Sequence, residues 1–132
     1  MATFLADLMT YYQSNSTLTN AVPFTKVWTG LAPEKTAFPY IIFTPIASVP
    51  TFVTRDNGYW ETYTFQVSVF DTDPDNVEAV AQTIQEQFDY ADISATCISC
   101  ERTNGPVFIV DQDTPELVYH AWLQFDYRRN QQ

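Results

Sequence analysis

The most constraining feature of this sequence is a run of strict alternation that passes directly into a run of helical periodicity, within Tyr59–Phe88. Apolar residues at Tyr63, Phe65, Val67 and Val69 alternate with polar residues at the positions between them. Because successive side chains of a strand point to opposite faces, this pattern predicts a long strand with one buried face.

A helix is predicted to follow at once. Asp73 is a preferred N-cap residue, and Pro74 suits the first helical position. The apolar positions behind them recur at helical spacing, at Val77, Val80, Ala81, Ile84 and Phe88. Such a stripe is typical of a helix with one buried side. We expect it to pack on the apolar face of the strand.

The N-terminal half carries weaker signals. Apolar spacing predicts a helix over Ala2–Gln13, followed by a polar turn over Ser14–Thr19 and an irregular connection over Asn20–Phe38. Tyr40–Phe43 is predicted to be a short strand, and Pro45 indicates that one of its edges is unpaired. Ala47–Asn57 is interpreted as a loop or loose hairpin, because Asp56-Asn57-Gly58 is a turn signal.

The C-terminal half predicts three strands. Ala95–Arg102 and Pro106–Asp111 are joined at Thr103-Asn104-Gly105, which is typical of a hairpin turn. The last strand alternates from Leu117 to Tyr127, and Arg128–Gln132 is interpreted as a polar tail.

These elements predict an α+β fold. Short turns between consecutive strands favour a mostly antiparallel sheet of four to five strands, with two helices on one face, in a two-layer sandwich. A length of 132 residues suits one domain, so we expect residues 1–132 to form a single unit.

Charge and composition narrow the classes of function. The net charge is -10, and ten acidic residues with no lysine or arginine lie between Arg55 and Arg102. Phosphate binding needs clustered positive charge, so this region argues against nucleic-acid binding. Aromatic residues make up 16% of the chain, which favours their use at protein–protein contacts. No apolar run approaches the roughly 20 residues that span a bilayer, and no secretory signal opens the chain, so we expect a cytosolic origin and no membrane partner.

No combination of residues predicts a catalytic, cofactor or metal site. Cys97 and Cys100 would point to opposite faces of a strand, and no second pair completes a zinc site. The Asp71, Asp73 and Asp75 spacing lacks the glycine and glutamate of a calcium loop. His120, the one histidine, has no nucleophile nearby in sequence. We therefore expect no enzyme activity.

Several stretches resemble the tail-terminator or tail-completion proteins of long-tailed bacteriophages. The resemblance lies in the order of elements: an N-terminal helix, then Ala32-Pro33 and Phe38–Phe43, then the strand Tyr63–Phe70 followed by a helix with Ala79 and Ala81. Late in the chain come Tyr119-His120 and Phe125–Arg128. The similarity spans nearly the whole chain but departs from the family at Asn20–Lys26, which has no glycine before an arginine.

The resemblance implies a virion protein, made in the host cytoplasm, that forms a homo-oligomeric ring, a hexamer, at the head-proximal end of a tail. It would stop tube polymerisation, contact the tail-tube protein and the head-connector protein, and let DNA pass only as cargo. Part of the acidic region Asp56–Glu101 would face the channel, where like charge repels phosphate. The candidate subunit or ring contacts are Arg55, Asp56, Asn57, Arg102, Asp111, Asp113 and Arg128.

Two alternatives remain open at this point. One is another ring protein of the head-tail junction or a minor tail component. The other is a small α+β ligand-binding or enzymatic domain with an apolar pocket, in which Tyr63, Tyr119 or His120 would supply the polar group.

Overall fold

Five strands form one sheet, and the helices lie against one of its faces. The computed structural model describes residues 3–30, 32, 37–53, 59–111 and 117–131. The elements in chain order are α1 (Phe4–Ser14), α2 (Ser16–Ala21), β1 (Val27–Thr29), β2 (Tyr40–Val53), β3 (Tyr59–Asp71), α3 (Pro74–Phe88), β4 (Cys97–Asp111) and β5 (Val118–Gln131). A single turn of 3-10 helix, Phe24–Lys26, leads into β1.

The strand order across the sheet is β1-β2-β3-β5-β4. β1 runs parallel to β2, whereas the other three pairings are antiparallel. The predicted α+β class and the mostly antiparallel two-layer arrangement are therefore confirmed. The parallel β1 makes the sheet mixed, and α2 adds a short third helix.

The β3–α3 unit forms the core as predicted. Phe65 on β3 is fully buried, and its ring contacts those of Phe88 on α3 and Phe125 on β5 at centroid distances of 6.1 and 5.5 Å. All five predicted stripe residues of α3 are buried. Asp73 caps the helix, because its Oδ1 accepts a hydrogen bond from the Asp75 backbone N–H at 3.0 Å.

The predicted short strand Tyr40–Phe43 is wrong in length. β2 continues to Val53 and pairs with β3 along its whole course, with register shifts between Pro45 and Ala47 and between Pro50 and Phe52. The prolines mark irregularities inside a strand rather than its end. The interpretation of Ala47–Asn57 as a loop fails up to Val53, and the predicted turn at Asp56-Asn57-Gly58 lies outside the described residues.

The hairpin predicted at Thr103-Asn104-Gly105 does not exist. These residues lie inside the single strand β4, which pairs with β5 on both sides of them and shifts register there. Gly105 has φ +85, and a Cβ at this position would lie 2.5 Å from the Trp122 carbonyl oxygen. Asparagine and glycine are typical of hairpin turns, but in β4 they allow an irregularity at which the backbones of β4 and β5 come close.

The predicted polar tail at Arg128–Gln132 is also wrong, because β5 runs to Gln131. Arg129 is buried, and its Nη1 lies 2.8 Å from Oδ2 of Asp7 on α1. The Tyr127 hydroxyl donates to the same Asp7 oxygen at 2.9 Å, and Arg129 Nη2 donates to the Tyr63 hydroxyl at 3.2 Å. This buried cluster ties the end of β5 to the first helix.

The turn predicted over Ser14–Thr19 contains the start of α2. The Asn15 side chain caps this helix by accepting from the backbone N–H groups of Thr17 and Leu18. Tyr12 fixes the following segment, because its hydroxyl donates to the Val22 carbonyl at 2.6 Å. The chain thereby returns to the sheet, where β1 begins at Val27.

Candidate functional site: the assembly surfaces

The outward face of α3 is strongly acidic. Asp75, Glu78 and Glu86 are exposed on the side of the helix opposite the buried stripe. No lysine or arginine occurs between Arg55 and Arg102, so α3 carries no cation of its own. This helix is the part of the predicted acidic region Asp56–Glu101 that presents carboxylates on one continuous surface.

The opposite face of the sheet is not covered by any helix of the described residues. One half of this open face is aromatic and apolar. Tyr40 stacks on Phe70 at 4.9 Å, and Phe70 stacks on His120 at 4.2 Å. The next row across the strands joins Trp28, Ile42, Ser68, Trp122 and Val107. The other half is polar, with Gln66 beside Gln124 and Thr64 beside Asp126.

The β4 edge of the sheet is apolar and exposed. Phe108 has 55% of its surface exposed, and Ile109 and Val110 beside it are also exposed. These three residues belong to an uncharged run, Pro106–Val110. An exposed apolar edge strand is a ready site for pairing with another chain, and natural proteins usually protect such edges with charge. Farther back along the strand, Ile98 is exposed as well.

The opposite edge of the sheet is also apolar. β1 pairs with β2 only over Ile41–Phe43, so most of β2 extends beyond it. Ile46 and Val49 are exposed in that part of β2, at 49% and 56%. All fourteen residues of β2 are uncharged. The sheet therefore has two chemically similar edges that belong to different strands.

A cleft of about 330 Å³ lies between α3 and β4. Its lining residues are Pro74, Val77, Glu78, Phe108, Ile109, Val110, Tyr119 and His120. Among the described residues of this lining, Glu78 is the one carboxylate, so they do not unite His120 with a pair of acids. The imidazole stacks on Phe70 instead. This lining does not provide a nucleophile with a base and an orienting acid.

The two cysteines show no sign of reactivity. Cys97 and Cys100 are free thiols, and burial raises the pKa of both from its ordinary value. Reactive thiols have a lowered pKa, so this shift points the other way. Among the described residues, no group of three or more His, Cys, Asp or Glu side chains could hold a metal ion.

The structure describes three of the seven predicted contact residues. Arg55, Asp56, Asn57 and Asp113 lie outside the described residues, and Asp111 ends β4. The other two, Arg102 and Arg128, lie on the sheet and contact acids of the same chain.

These two arginines pair loosely with their neighbours. Arg102 Nε lies 3.8 Å from Asp89 Oδ2, and its Nη1 donates to the Gly105 carbonyl at 2.9 Å. Arg128 Nη1 lies 4.0 Å from Glu101 Oε2, and both side chains are more than a third exposed. A role for either arginine between subunits stays a prediction. Sequence reasoning missed the two apolar edges, although the uncharged runs Tyr40–Val53 and Pro106–Val110 were visible signals.

Comparison with known proteins decides the class. Residues 7–129 match the family described as "Tail completion protein gp17". The chain belongs to this family. It is accordingly a structural protein of a phage-type tail and a component of the virion, in agreement with the resemblance seen in the sequence. No curated protein sequence matches this tail completion chain.

A solved structure shares the fold. It is a chain of the "Virion of native gene transfer agent (GTA) particle", with a TM-score of 0.68 and 15% sequence identity. The match covers 96% of this tail completion chain and 93% of the other chain. No helix in the described part of this chain is long and apolar enough to cross a membrane.

Proposed function

We propose that this chain closes into a homo-oligomeric ring, a hexamer, at the head-proximal end of a phage tail. The ring ends polymerisation of the tail tube and joins the tail to the connector of the head. Its partners are further copies of itself, the tail-tube protein and the head-connector protein. It has no catalytic role.

The family match over residues 7–129 carries this proposal. The surface chemistry supports it, because the described residues present exposed apolar side chains at both edges of the sheet. A subunit with two different adhesive edges can contact two neighbours, and head-to-tail contacts of this kind generate rings when the rotation closes.

The acidic face of α3 suits the inner wall of such a ring. DNA must pass in and out without being held, and each cation on the wall would add a phosphate contact through counterion release. Asp75, Glu78 and Glu86 instead repel phosphate. We therefore infer that α3 faces the channel. The contacts to the neighbouring rings fall to Asp111 at the end of β4 and to the predicted contact residues Arg55, Asp56, Asn57 and Asp113, which in sequence follow β2 and β4.

Tube assembly tests the capping role. Tail-tube protein from the same virus is polymerised with and without this chain, and electron microscopy records tube lengths and tube ends. We expect limited lengths with a cap at one end when the chain is present. Tubes of unchanged length without caps would refute the role, and caps that leave length unchanged would favour another ring position at the junction.

A charge substitution tests the channel assignment. Gln82→Lys/Glu86→Lys places two cations on the exposed face of α3. We expect virions that carry it to release DNA more slowly, with a delay that disappears at high salt because phosphate contacts are screened. Asp92→Lys/Ala95→Lys, also exposed but in the loop between α3 and β4, adds the same charge as a matched control and should release DNA normally. Slow release from the control alone would place this loop, rather than α3, in the channel.

A further inference from the structure

We propose that copies of this chain join edge to edge, so that the second half of β4 of one copy, Asn104–Val110, lies antiparallel beside β1 and the adjoining part of β2 of the next. The five-stranded sheet then continues from subunit to subunit around the ring. This inference rests on the proposed ring and adds the surface that holds it together.

The strand directions fit this contact. β3 is antiparallel to β2, β5 is antiparallel to β3, and β4 is antiparallel to β5. β4 therefore runs opposite to β2 and to β1, which is parallel to β2. If neighbouring copies are related by a rotation about an axis along the strands, their adjoining edges meet as an antiparallel pair. This is the pairing that extends a sheet by strand addition.

The heights of the two edges along the sheet also agree. The register places Phe108 of β4 in one row with Ala121, Val69, Ile41 and Val27, which is the first residue of β1. A rotation about the strand direction keeps residues of one row at one height. Phe108 of one copy would therefore meet the β1 edge of the next.

The contact is confined to this end of β4. Nearer the start of the strand, the Cys100 carbonyl accepts a hydrogen bond from the Tyr90 backbone N–H at 2.7 Å, and the Arg102 backbone N–H donates to Asp89 Oδ1 at 3.1 Å. The same chain therefore already covers that part of the β4 edge. Phe108 and Ile46, which is exposed just beyond β1, supply apolar surface whose burial drives association.

Charge favours a head-to-tail arrangement over a symmetric one. Glu78 lines the cleft beside Phe108, whereas Lys26 directly precedes β1 at the other edge. Lys26 is one of only two lysines in the chain. Joining two β4 edges would bring two Glu78 carboxylates together, whereas joining β4 to β1 brings Glu78 towards Lys26. Contact between unlike edges is also what ring closure requires.

Two single substitutions test the contact. Phe108→Asp places a carboxylate on the β4 edge, and Ile46→Asp places one on the β2 edge; both sites are about half exposed in one copy, so folding should be retained. In sedimentation velocity, wild-type chain should form the ring and each variant alone should sediment as a monomer. Mixed together, they should form one-to-one dimers, because each variant keeps the edge that the other has lost.

Thr10→Asp is the matched control. Thr10 is exposed on the side of α1 opposite the buried Leu8 and Tyr12, and it lies on neither edge of the sheet. This variant should remain a ring. Circular dichroism confirms that every variant is folded.

The outcomes separate the two proposals. A wild-type chain that stays monomeric when concentrated refutes the ring and this contact together. A wild-type ring that persists with both Phe108→Asp and Ile46→Asp refutes the contact alone, as does a mixture of the two variants that stays monomeric. Loss of the ring in Thr10→Asp also counts against the contact.

Cross-linking tests the height of the contact. In a Cys97→Ala background, a mixture of Trp28→Cys and Val107→Cys chains, whose sites lie in one row, should form a disulfide between copies on oxidation. A mixture of Trp28→Cys and Ile98→Cys chains, whose sites lie at different heights, should not. Equal cross-linking of both mixtures would overturn the continuous sheet.

Discussion

Removal of the Asp7 carboxylate should destabilise the fold far more than loss of an exposed acid would. Arg129 has a side chain only 5% exposed, and Asp7 Oδ2 lies 2.8 Å from its Nη1. The guanidinium carbon also lies 5.0 Å from the centre of the Tyr63 ring. Asp7→Ala would leave a buried cation without its counter-charge, which costs about 3–5 kcal/mol in the free energy of unfolding.

The matched control is Glu101→Ala. Glu101 and Arg128 are separated by 4.0 Å, with side chains 47% and 37% exposed. An exposed pair of this kind contributes less than about 1 kcal/mol. Urea denaturation at neutral pH measures both free energies of unfolding.

The double substitution Asp7→Ala/Arg129→Met isolates the buried charge. Methionine fills much of the space of the arginine stem without a charge, so the double variant should recover at least about 1 kcal/mol relative to Asp7→Ala. A loss below about 1 kcal/mol for Asp7→Ala, or a double variant less stable than the single one, would show that the cluster does not hold β5 to α1.

Three further predictions concern the core and the backbone. Phe65→Ala should cost about 3–5 kcal/mol in denaturant melts, and a loss under about 1 kcal/mol would show that the predicted core face is not buried. Gly105→Ala should lower the melting temperature more than Gly30→Ala, because both have positive φ but only the Cβ at position 105 would meet backbone, at 2.5 Å; equal losses would contradict that close approach. Burial raises the pKa of Tyr12 above its ordinary value of 10.0, so the folded state keeps this proton when the unfolded chain has lost it. Above pH 10, this residue should therefore lower the free energy of unfolding by about 1.4 kcal/mol per pH unit. Tyr12→Phe should make that decrease with pH less steep, and an unchanged decrease would refute the assignment.

The parts of the fold that sequence predicted are those where one periodicity runs without interruption. Phe65 and its alternating neighbours on β3 gave a strand with one buried face, and the stripe ending at Phe88 gave α3. In both elements local pattern and tertiary packing agree. The α+β class followed, because these two elements and the alternation of β5 specify a sheet with helices on one face.

The errors occurred where local signals and tertiary pairing conflict. The sequence predicts a short strand at Tyr40–Phe43 and a loop from Ala47, but pairing with β3 extends β2 through Pro45 and Pro50 to Val53. Asn104 and Gly105 predict a turn by residue type, but pairing with β5 keeps them inside β4. Arg129 falls in the predicted polar tail, because nothing in the local sequence indicates that it is buried in a pair with Asp7 on the distant helix α1.

The candidate surfaces were predicted only in part. The acidic character of the middle region could be read from the sequence, but its concentration on one face of α3 depends on which side of the helix the core buries. The apolar edges required the strand order, because only the arrangement β1-β2-β3-β5-β4 places β4 and β1 at opposite edges. The sequence alone could not show that Phe108 and Val27 lie in one row.

Electron microscopy of the tail end in an assembled virion tests the central claim most directly. The account predicts a closed ring of this chain at the head-proximal end, with the carboxylates of α3 on the inner wall and β4 of each subunit beside β1 of the next. A chain bound there singly, or a ring with a basic inner wall, would contradict it.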